Sequence, residues 1–238
     1  MTLTRRDFGR NVLAGLTATT LMGNVACGSD AGSGSDAGAG GSDGGTGGSD
    51  GGNVCTLYPQ QTEGPYYLDL DLLRRDITEG RPGLPLRLVV QVQDDACAPL
   101  KDVAVDIWHC DADGVYSGFP GQLGGLDTSG QTFLRGAQVT GDDGVAEFDS
   151  IYPGWYPGRT THIHFKVHTS SVTEATSQLY FPEQVTAAVY ATSPYQARGQ
   201  KDTSNDSDGV ARGALPPLAM MTGDLAAGYV GTVVVTVA

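Results

Sequence analysis

The sequence is poor in histidine, in cysteine and in positive charge. It contains 4 histidines, 4 cysteines and 14 lysines and arginines, against 27 aspartates and glutamates, so its formal charge is −13. No basic stripe is available to meet phosphates, which argues against nucleic acid or an anionic lipid surface as a partner. No Cys-x-x-Cys pair occurs either, so a zinc site built on thiolates is not expected.

The beginning of the chain has only a short hydrophobic run, from Val12 to Met22. A bilayer needs roughly 20 apolar residues, so this run is too short to span one. It follows Arg5-Arg6, a twin-arginine pattern, and we therefore interpret residues 1–27 as an export signal. Residues 28–53 contain no apolar side chain larger than alanine, so they are predicted to form a disordered Gly/Ser/Asp linker.

The end of the export signal, Val25-Ala26-Cys27, resembles a bacterial lipobox, with Asn24 standing where that pattern prefers leucine. If Cys27 is lipidated, the protein is anchored to a membrane through lipid only. The alternative is ordinary cleavage near Ala26. Both predict an exported protein, either at the cell surface or in the periplasm.

The three cysteines beyond Cys27 are an odd number for an oxidising compartment, which predicts one disulfide and one buried thiol. Alternating apolar residues in 86–92 and 103–107 flank a turn-rich stretch, so we interpret them as a hairpin. Cys97 lies in that turn and Cys110 follows the second strand, and opposite ends of a hairpin are too far apart for an S–S bond. We therefore predict Cys55–Cys97, although the sequence alone does not fix the pairing.

The rest of residues 54–238 is predicted to be a single all-β domain. Alternation of apolar side chains continues through 163–167, and the β-branched run Tyr229–Val237 is typical of a strand buried on both faces. Only one short helix is expected, over Pro182–Val189. The pattern predicts a β-sandwich with long loops and little helix.

Two of the four histidines, His162 and His164, are two residues apart. Residues i and i+2 of a strand point to the same face, so these imidazoles project together at a spacing that suits one ion. Ile163 and Phe165 take the opposite face. His168 lies roughly 13 Å further along the strand, too far to reach the same ion, and we interpret it as structural or exposed.

No aspartate or glutamate lies between Ser150 and Ser171, so a carboxylate ligand is not supplied locally. The available hard anionic donor is tyrosine, whose phenol has an ordinary pKa of about 10 and becomes a ligand only when a strong Lewis acid displaces its proton. This favours Fe(III) over Zn(II) or Mg(II). His109, the remaining histidine, is interpreted as structural.

Five segments, in one order and at compatible spacing, resemble the intradiol ring-cleavage dioxygenases, the family of protocatechuate 3,4-dioxygenase and catechol 1,2-dioxygenase. They are Thr62–Tyr66, Trp108–Tyr116, Pro153–Pro157, Arg159–Phe165 and Gln178–Phe181. The loop between Tyr156 and His162 is shorter than in the well-known enzymes, which leaves the shape of the pocket open. The preferred ring substituents and the oligomeric state are open as well.

The resemblance implies an oxidoreductase that cleaves catechol-type rings with O2 to cis,cis-muconate-type products. It implies a non-haem Fe(III) bound by Tyr116, Tyr156, His162 and His164. Arg159 and Tyr156 would take part in catalysis. The substrate would contact Pro65, Tyr66, Tyr67, Trp108, Arg159 and Gln178.

Two other functions compete with this interpretation. Asp142–Phe148 followed by Tyr152–Tyr156 is similar to the turn-and-strand pattern of a non-catalytic β-sandwich binding module displayed on a tether. Such a module does not need the tyrosines, the arginine and the histidine pair together. A cupin-type metalloenzyme is the other alternative, but no suitably spaced glutamate and second histidine follow the pair.

Overall fold

The computed structural model describes residues 54–170 and 174–238. The predicted export signal, the lipobox at Cys27 and the linker therefore lie outside the described residues. Within the described part of the chain, no helix combines the length and the apolar character needed to cross a bilayer.

In the described residues, eight strands form two four-stranded sheets. The first sheet has the order β4-β1-β8-β7 and the second the order β3-β2-β5-β6. The strands are β1 (Pro85–Gln93), β2 (Ala104–Trp108), β3 (Arg135–Val139), β4 (Val145–Ile151), β5 (His162–His168), β6 (Glu174–Tyr180), β7 (Met220–Asp224) and β8 (Gly228–Thr236). Within residues 54–170 and 174–238 there is one α-helix, α1 (Glu183–Tyr190), and short 3-10 turns lie at Tyr195–Ala197 and Ala211–Gly213. The predicted β-sandwich with little helix is confirmed.

The predicted hairpin between the first two strands is wrong. β1 pairs with β4 and, in parallel, with β8, whereas β2 pairs with β3 and β5 in the other sheet. The turn between them therefore crosses from one sheet to the other. Alternation of apolar residues specifies which face of a strand is buried, but it carries no information about which strand lies beside it.

The core lies between the two sheets and follows the alternation seen in the sequence. In β5 the inward residues Ile163, Phe165 and Val167 have at most 1% of their surface exposed and belong to the same buried cluster as the inward residues of β1. The terminal strand β8 differs from expectation, because only one of its faces is buried and Val234 on the other is 37% exposed. Its β-branched run thus reflects strand propensity as well as burial.

The outer face of the second sheet carries polar side chains in a row across all four strands. Register pairs Arg135 with Trp108, Trp108 with His164, and His164 with Gln178. All four residues are buried even though they point away from the core, because the segment 61–67 and the long loops cover this face. The outer face of the second sheet therefore holds a row of aligned side chains that the loops shield from solvent.

A disulfide joins Cys55 to Cys97 and thereby fastens the segment before β1 to the turn after it, while Cys110 is a buried free thiol. The pair is the one expected from the sequence, but the hairpin used to argue for it does not exist. The attached segment continues to Tyr58, whose hydroxyl donates to the Gln178 carbonyl at 3.3 Å. The crosslink thus holds a strip of chain that reaches β6.

We predict that Cys55→Ser and Cys97→Ser each lower the free energy of unfolding by about 2–4 kcal/mol, because the bond closes a loop with a sequence separation of 42. Denaturant unfolding with and without reductant measures the effect, and reductant should no longer destabilise either variant. Three reactive thiols in unreduced, unfolded protein spanning residues 54–238 would contradict the prediction.

Candidate metal centre

Four side chains converge at the end of the second sheet. Nε2 of His162 lies 3.1 Å from Nε2 of His164, 3.1 Å from the hydroxyl of Tyr156 and 3.4 Å from the hydroxyl of Tyr116. Tyr116 and both histidines are buried, and Tyr156 is partly exposed. These are the four residues that the resemblance nominates as ligands.

The hydrogen bonds of His162 leave these four side chains with one more hydrogen-bond donor than acceptor. Its Nδ1 lies 2.6 Å from the Thr160 carbonyl, so Nδ1 carries the proton and Nε2 presents a single lone pair. Both phenols could donate a proton to that lone pair. So could Nε2 of His164, since its Nδ1 has no partner. Tyr116 can donate to the Tyr156 oxygen instead, but Tyr156 and Nε2 of His164 still compete for one lone pair, so one donor is left without an acceptor.

A single cation would relieve this conflict. Two ligand atoms about 2.1 Å from one ion, at angles of 90° to 120°, are about 3.0–3.6 Å apart, which matches the spacings around His162. The donor set contains two imidazoles and two phenols. In the described part of the chain no three His, Cys, Asp or Glu side chains cluster as an alternative metal site. The residues present therefore fit a metal ion that phenolates can bind.

Burial controls the charge of these groups. Together with nearby Arg159, it lowers the pKa of His162 to about 3, and together with His162 it holds the pKa of His164 well below its usual range. Burial also raises the pKa of Tyr156 to about 12, against the opposing effect of Arg159, and raises that of Tyr116 still more clearly. Both imidazoles are thus uncharged at neutral pH and could bind a metal ion through a ring nitrogen, while the phenols need a strong Lewis acid to ionise.

Two glycines allow the loops that carry the tyrosines to touch backbone to backbone. A Cβ on Gly154 would lie 2.4 Å from the Asp111 carbonyl oxygen, and one on Gly114 would lie 2.1 Å from that of Trp155. The loop of Tyr116 is therefore packed directly on the loop of Tyr156, so that the two rings meet edge to face at 5.8 Å.

The position of Tyr116 is also fixed through its own backbone. The side chain of Gln122 accepts from the Tyr116 amide at 2.8 Å and donates to its carbonyl at 2.6 Å, and Thr128 donates to the same carbonyl at 2.7 Å. Sequence reasoning missed Gln122, because nothing in a Gly-rich loop marks one glutamine as buried.

The aromatic residues nominated for the substrate occupy different depths. Trp108 is 1% exposed and stacks on His164 with ring centroids 5.0 Å apart and planes 8° apart. Tyr67 lies behind it, packing on Trp108 at 4.8 Å. Tyr66 is partly exposed and stacks on Tyr116 at 4.3 Å, next to the exposed Pro65. Of these, Pro65 and Tyr66 face the accessible side, whereas Trp108 orients a histidine.

Arg159 stands beside the donor set. Its Nη1 is 3.5 Å from the Tyr156 hydroxyl, its Nη2 contacts the Gln178 side-chain oxygen, and its Nε donates to Asp208 at 2.8 Å. Gln178 has no exposed surface and is held in place by donating to the Thr62 carbonyl at 2.9 Å. Asp208 was not anticipated, because it stands in a run of turn-forming residues that predicts an exposed loop.

Comparison with known proteins agrees with this geometry. A family model described as a dioxygenase matches residues 59–198, more than half of the 238-residue chain. The chain is also similar to the solved intradiol ring-cleavage dioxygenase from Tetranychus urticae, at 30% identity and a TM-score of 0.70 over 76% of this chain and 94% of that one. This chain belongs to the intradiol ring-cleavage dioxygenase family.

Two further relatives set the range of similarity within the intradiol family. The dioxygenase domain of a carbohydrate-binding fusion protein from Streptomyces sp. SirexAA-E is 31% identical, with a TM-score of 0.56 over 76% of this chain and 98% of that chain. Chlorocatechol 1,2-dioxygenase of Rhodococcus opacus is 30% identical over 119 residues, 42% of this chain and 44% of that enzyme. The chain spans about half the length of such curated relatives. Membership of this family excludes the alternative of a cupin-type metalloenzyme.

For this intradiol-family protein we predict that Tyr116→Phe weakens metal binding without destabilising the metal-free fold. The change would remove a metal ligand, but it also removes one of the phenols that needs an acceptor near His162. Thermal midpoints measured with Fe(III) and with chelator should show a smaller metal-dependent rise in the variant and a nearly unchanged midpoint in chelator.

Tyr66→Phe is the matched control, because it deletes a hydroxyl from the ring stacked on Tyr116 and should keep the full metal-dependent rise. An equal rise for Tyr116→Phe and the native protein would remove Tyr116 from the ligand set.

Proposed function

We propose that this protein is a non-haem Fe(III)-dependent intradiol dioxygenase that cleaves catechol-type rings with O2 to cis,cis-muconate-type products. The observation that carries the proposal is the convergence of two phenols and two neutral imidazoles on one point, with a guanidinium alongside. A tethered binding module has no use for a buried donor that lacks an acceptor, because it costs roughly 1–3 kcal/mol of stability.

Fe(III) is the ion that suits this donor set. Phenolate is a hard anionic ligand, and the raised pKa values of Tyr116 and Tyr156 mean that only a strongly acidic ion can displace their protons. Bound iron would supply the Lewis acidity that ionises a chelating diol and makes its ring electron-rich enough to react with O2.

The two tyrosines have different surroundings, which supports different roles. Tyr116 is buried to 1% exposure and locked through its backbone, as expected for a permanent ligand. Tyr156 is partly exposed and lies beside Arg159. Its hydroxyl oxygen is therefore the better candidate to take a proton from an incoming diol and to give up its place as a ligand. The partly exposed side of the site would admit the substrate there.

Arg159 is the group that can stabilise negative charge on the ring. Its guanidinium is a permanent cation with 17% of its side chain exposed, so it can contact a bound molecule without losing its position. Opposing the desolvation caused by burial, Tyr156 and Asp208 keep the pKa of Arg159 above its ordinary value. A cation fixed where charge develops lowers the barrier more than one that must be recruited.

Substrate class and location extend the proposal. The name of the Rhodococcus opacus relative, chlorocatechol 1,2-dioxygenase, supports an aromatic ring with adjacent hydroxyls as substrate. The Cys55–Cys97 disulfide supports an oxidising compartment, in agreement with export of the chain.

The deciding experiment is the visible absorption spectrum of the iron-loaded protein, recorded without O2 before and after adding catechol. Tyrosinate-to-Fe(III) charge transfer should give a visible band, catechol should shift that band, and admitting O2 should bleach the shifted form while muconate accumulates. A colourless protein that holds no iron, or a band that catechol leaves unchanged, would contradict the proposal in favour of a binding module.

We predict that Arg159→Ala lowers kcat and kcat/KM together by about 100-fold while iron content stays the same, because the guanidinium acts on charge that develops during the reaction. Arg159→Lys should rescue poorly, since a compact ammonium cannot reproduce the planar guanidinium whose three nitrogens contact Asp208, Gln178 and Tyr156.

Muconate formation and iron content measure both variants, with the exposed Arg212→Ala as the matched control. Normal turnover in Arg159→Ala at full iron would place Arg159 outside the reaction.

A further inference from the structure

The carboxylate of Asp208 has no exposed surface and accepts four hydrogen bonds, one of them within an ion pair with Arg159. One oxygen accepts from Nε of Arg159 at 2.8 Å and from the Thr160 amide at 2.7 Å. The other accepts from the amides of Val210 and Ala211 at 2.8 and 3.0 Å. Asp208 lies beyond residues 59–198, the span that the family model matches. It therefore ties a segment outside that span to the proposed active site.

A buried carboxylate is costly unless it is fully hydrogen-bonded and paired with a cation. Burial raises the pKa of Asp208, but the backbone donors and Arg159 outweigh that effect, and the net pKa is lowered. The carboxylate of Asp208 therefore stays ionised. Removing either Asp208 or Arg159 would leave the other charge buried and unpaired, and the hydrogen bonds between them give the pair a defined geometry.

That geometry determines the direction of the Arg159 guanidinium. Asp208 holds Nε and the side chain of Gln178 holds Nη2, and a planar group fixed at two edges cannot rotate. The remaining nitrogen, Nη1, is then left on the side of Tyr156. Without the carboxylate, the partly exposed end of this long side chain would be free to turn toward solvent.

We propose that Asp208 is a positioning residue that aims Arg159 at the ring of the bound diol, an inference that rests on the dioxygenase function proposed above. It acts through Arg159 and does not touch the substrate. Its second contact, to the Thr160 amide, adjoins the Thr160 carbonyl that fixes Nδ1 of His162. A purely structural role would operate through that contact and would change metal binding instead.

The test compares Asp208→Asn with the exposed Asp206→Asn in the same turn. Asparagine keeps the size of the side chain, but its NH2 must face one of the two pairs of donors. We expect Asp208→Asn to keep its iron and its visible band and to lose about 10-fold or more in kcat on catechol, with Asp206→Asn unchanged. If Asp208→Asn does not fold, Asp208→Glu keeps the charge, displaces the acceptor and carries the same comparison.

A double-mutant cycle with Arg159→Ala separates the two roles. If Asp208 acts through Arg159, the double variant Arg159→Ala/Asp208→Asn turns over within about 2-fold of Arg159→Ala alone. Losses that multiply would overturn the inference, and so would an Asp208→Asn variant with lost iron but normal turnover per iron.

A crystal structure of Asp208→Asn keeps this result separate from the proposed function. If the native protein fails to cleave catechol, the dioxygenase proposal fails. The structure still decides the positioning role, because displacement of Arg159 from Gln178 supports it and an unmoved guanidinium overturns it.

Discussion

The single lone pair on Nε2 of His162 is the constraint around which the rest of the site is arranged. The Thr160 carbonyl holds the proton of this ring on Nδ1, which aims the lone pair at two phenols and a second imidazole. Even with Tyr116 donating to the Tyr156 oxygen, Tyr156 and His164 compete for this one acceptor, and a cation at the same point would remove the conflict. The fold therefore keeps these four side chains close together at a cost in stability.

Parts of the chain that are distant in sequence maintain this arrangement. The register of β5 between β2 and β6 places Trp108 and Gln178 on either side of His164. Gly114 and Gly154 then let the two tyrosine loops meet without side chains between them. Any larger residue at either glycine would separate the loops, so the spacing of the donors depends on backbone contact rather than on the tyrosines themselves.

The sequence was sufficient to predict features that depend only on neighbouring residues. Alternation correctly assigned Ile163 and Phe165 to the core and the histidines to the other face, because side-chain direction in a strand is set by the backbone alone. It could not reveal that β1 pairs with β8 or that β2 lies in the opposite sheet, since pairing depends on packing between distant segments. Asp208 was invisible for a related reason. Burial of one aspartate in a polar turn is decided by what lies across from it, in this case Arg159.

The covered outer face of the second sheet separates structural polar groups from functional ones. Arg135 donates to the carbonyls of Tyr66 and Ser117, and Lys166 pairs with Glu63, so these buried charges are satisfied by the protein. Four buried side-chain nitrogens in the described residues have no partner, and two of them, on Trp108 and His164, belong to rings stacked on one another in the site. The protein satisfies its other charged groups on this face but leaves a buried nitrogen of His164 without a partner beside two phenols and a second imidazole, which favours a metal ion at that point.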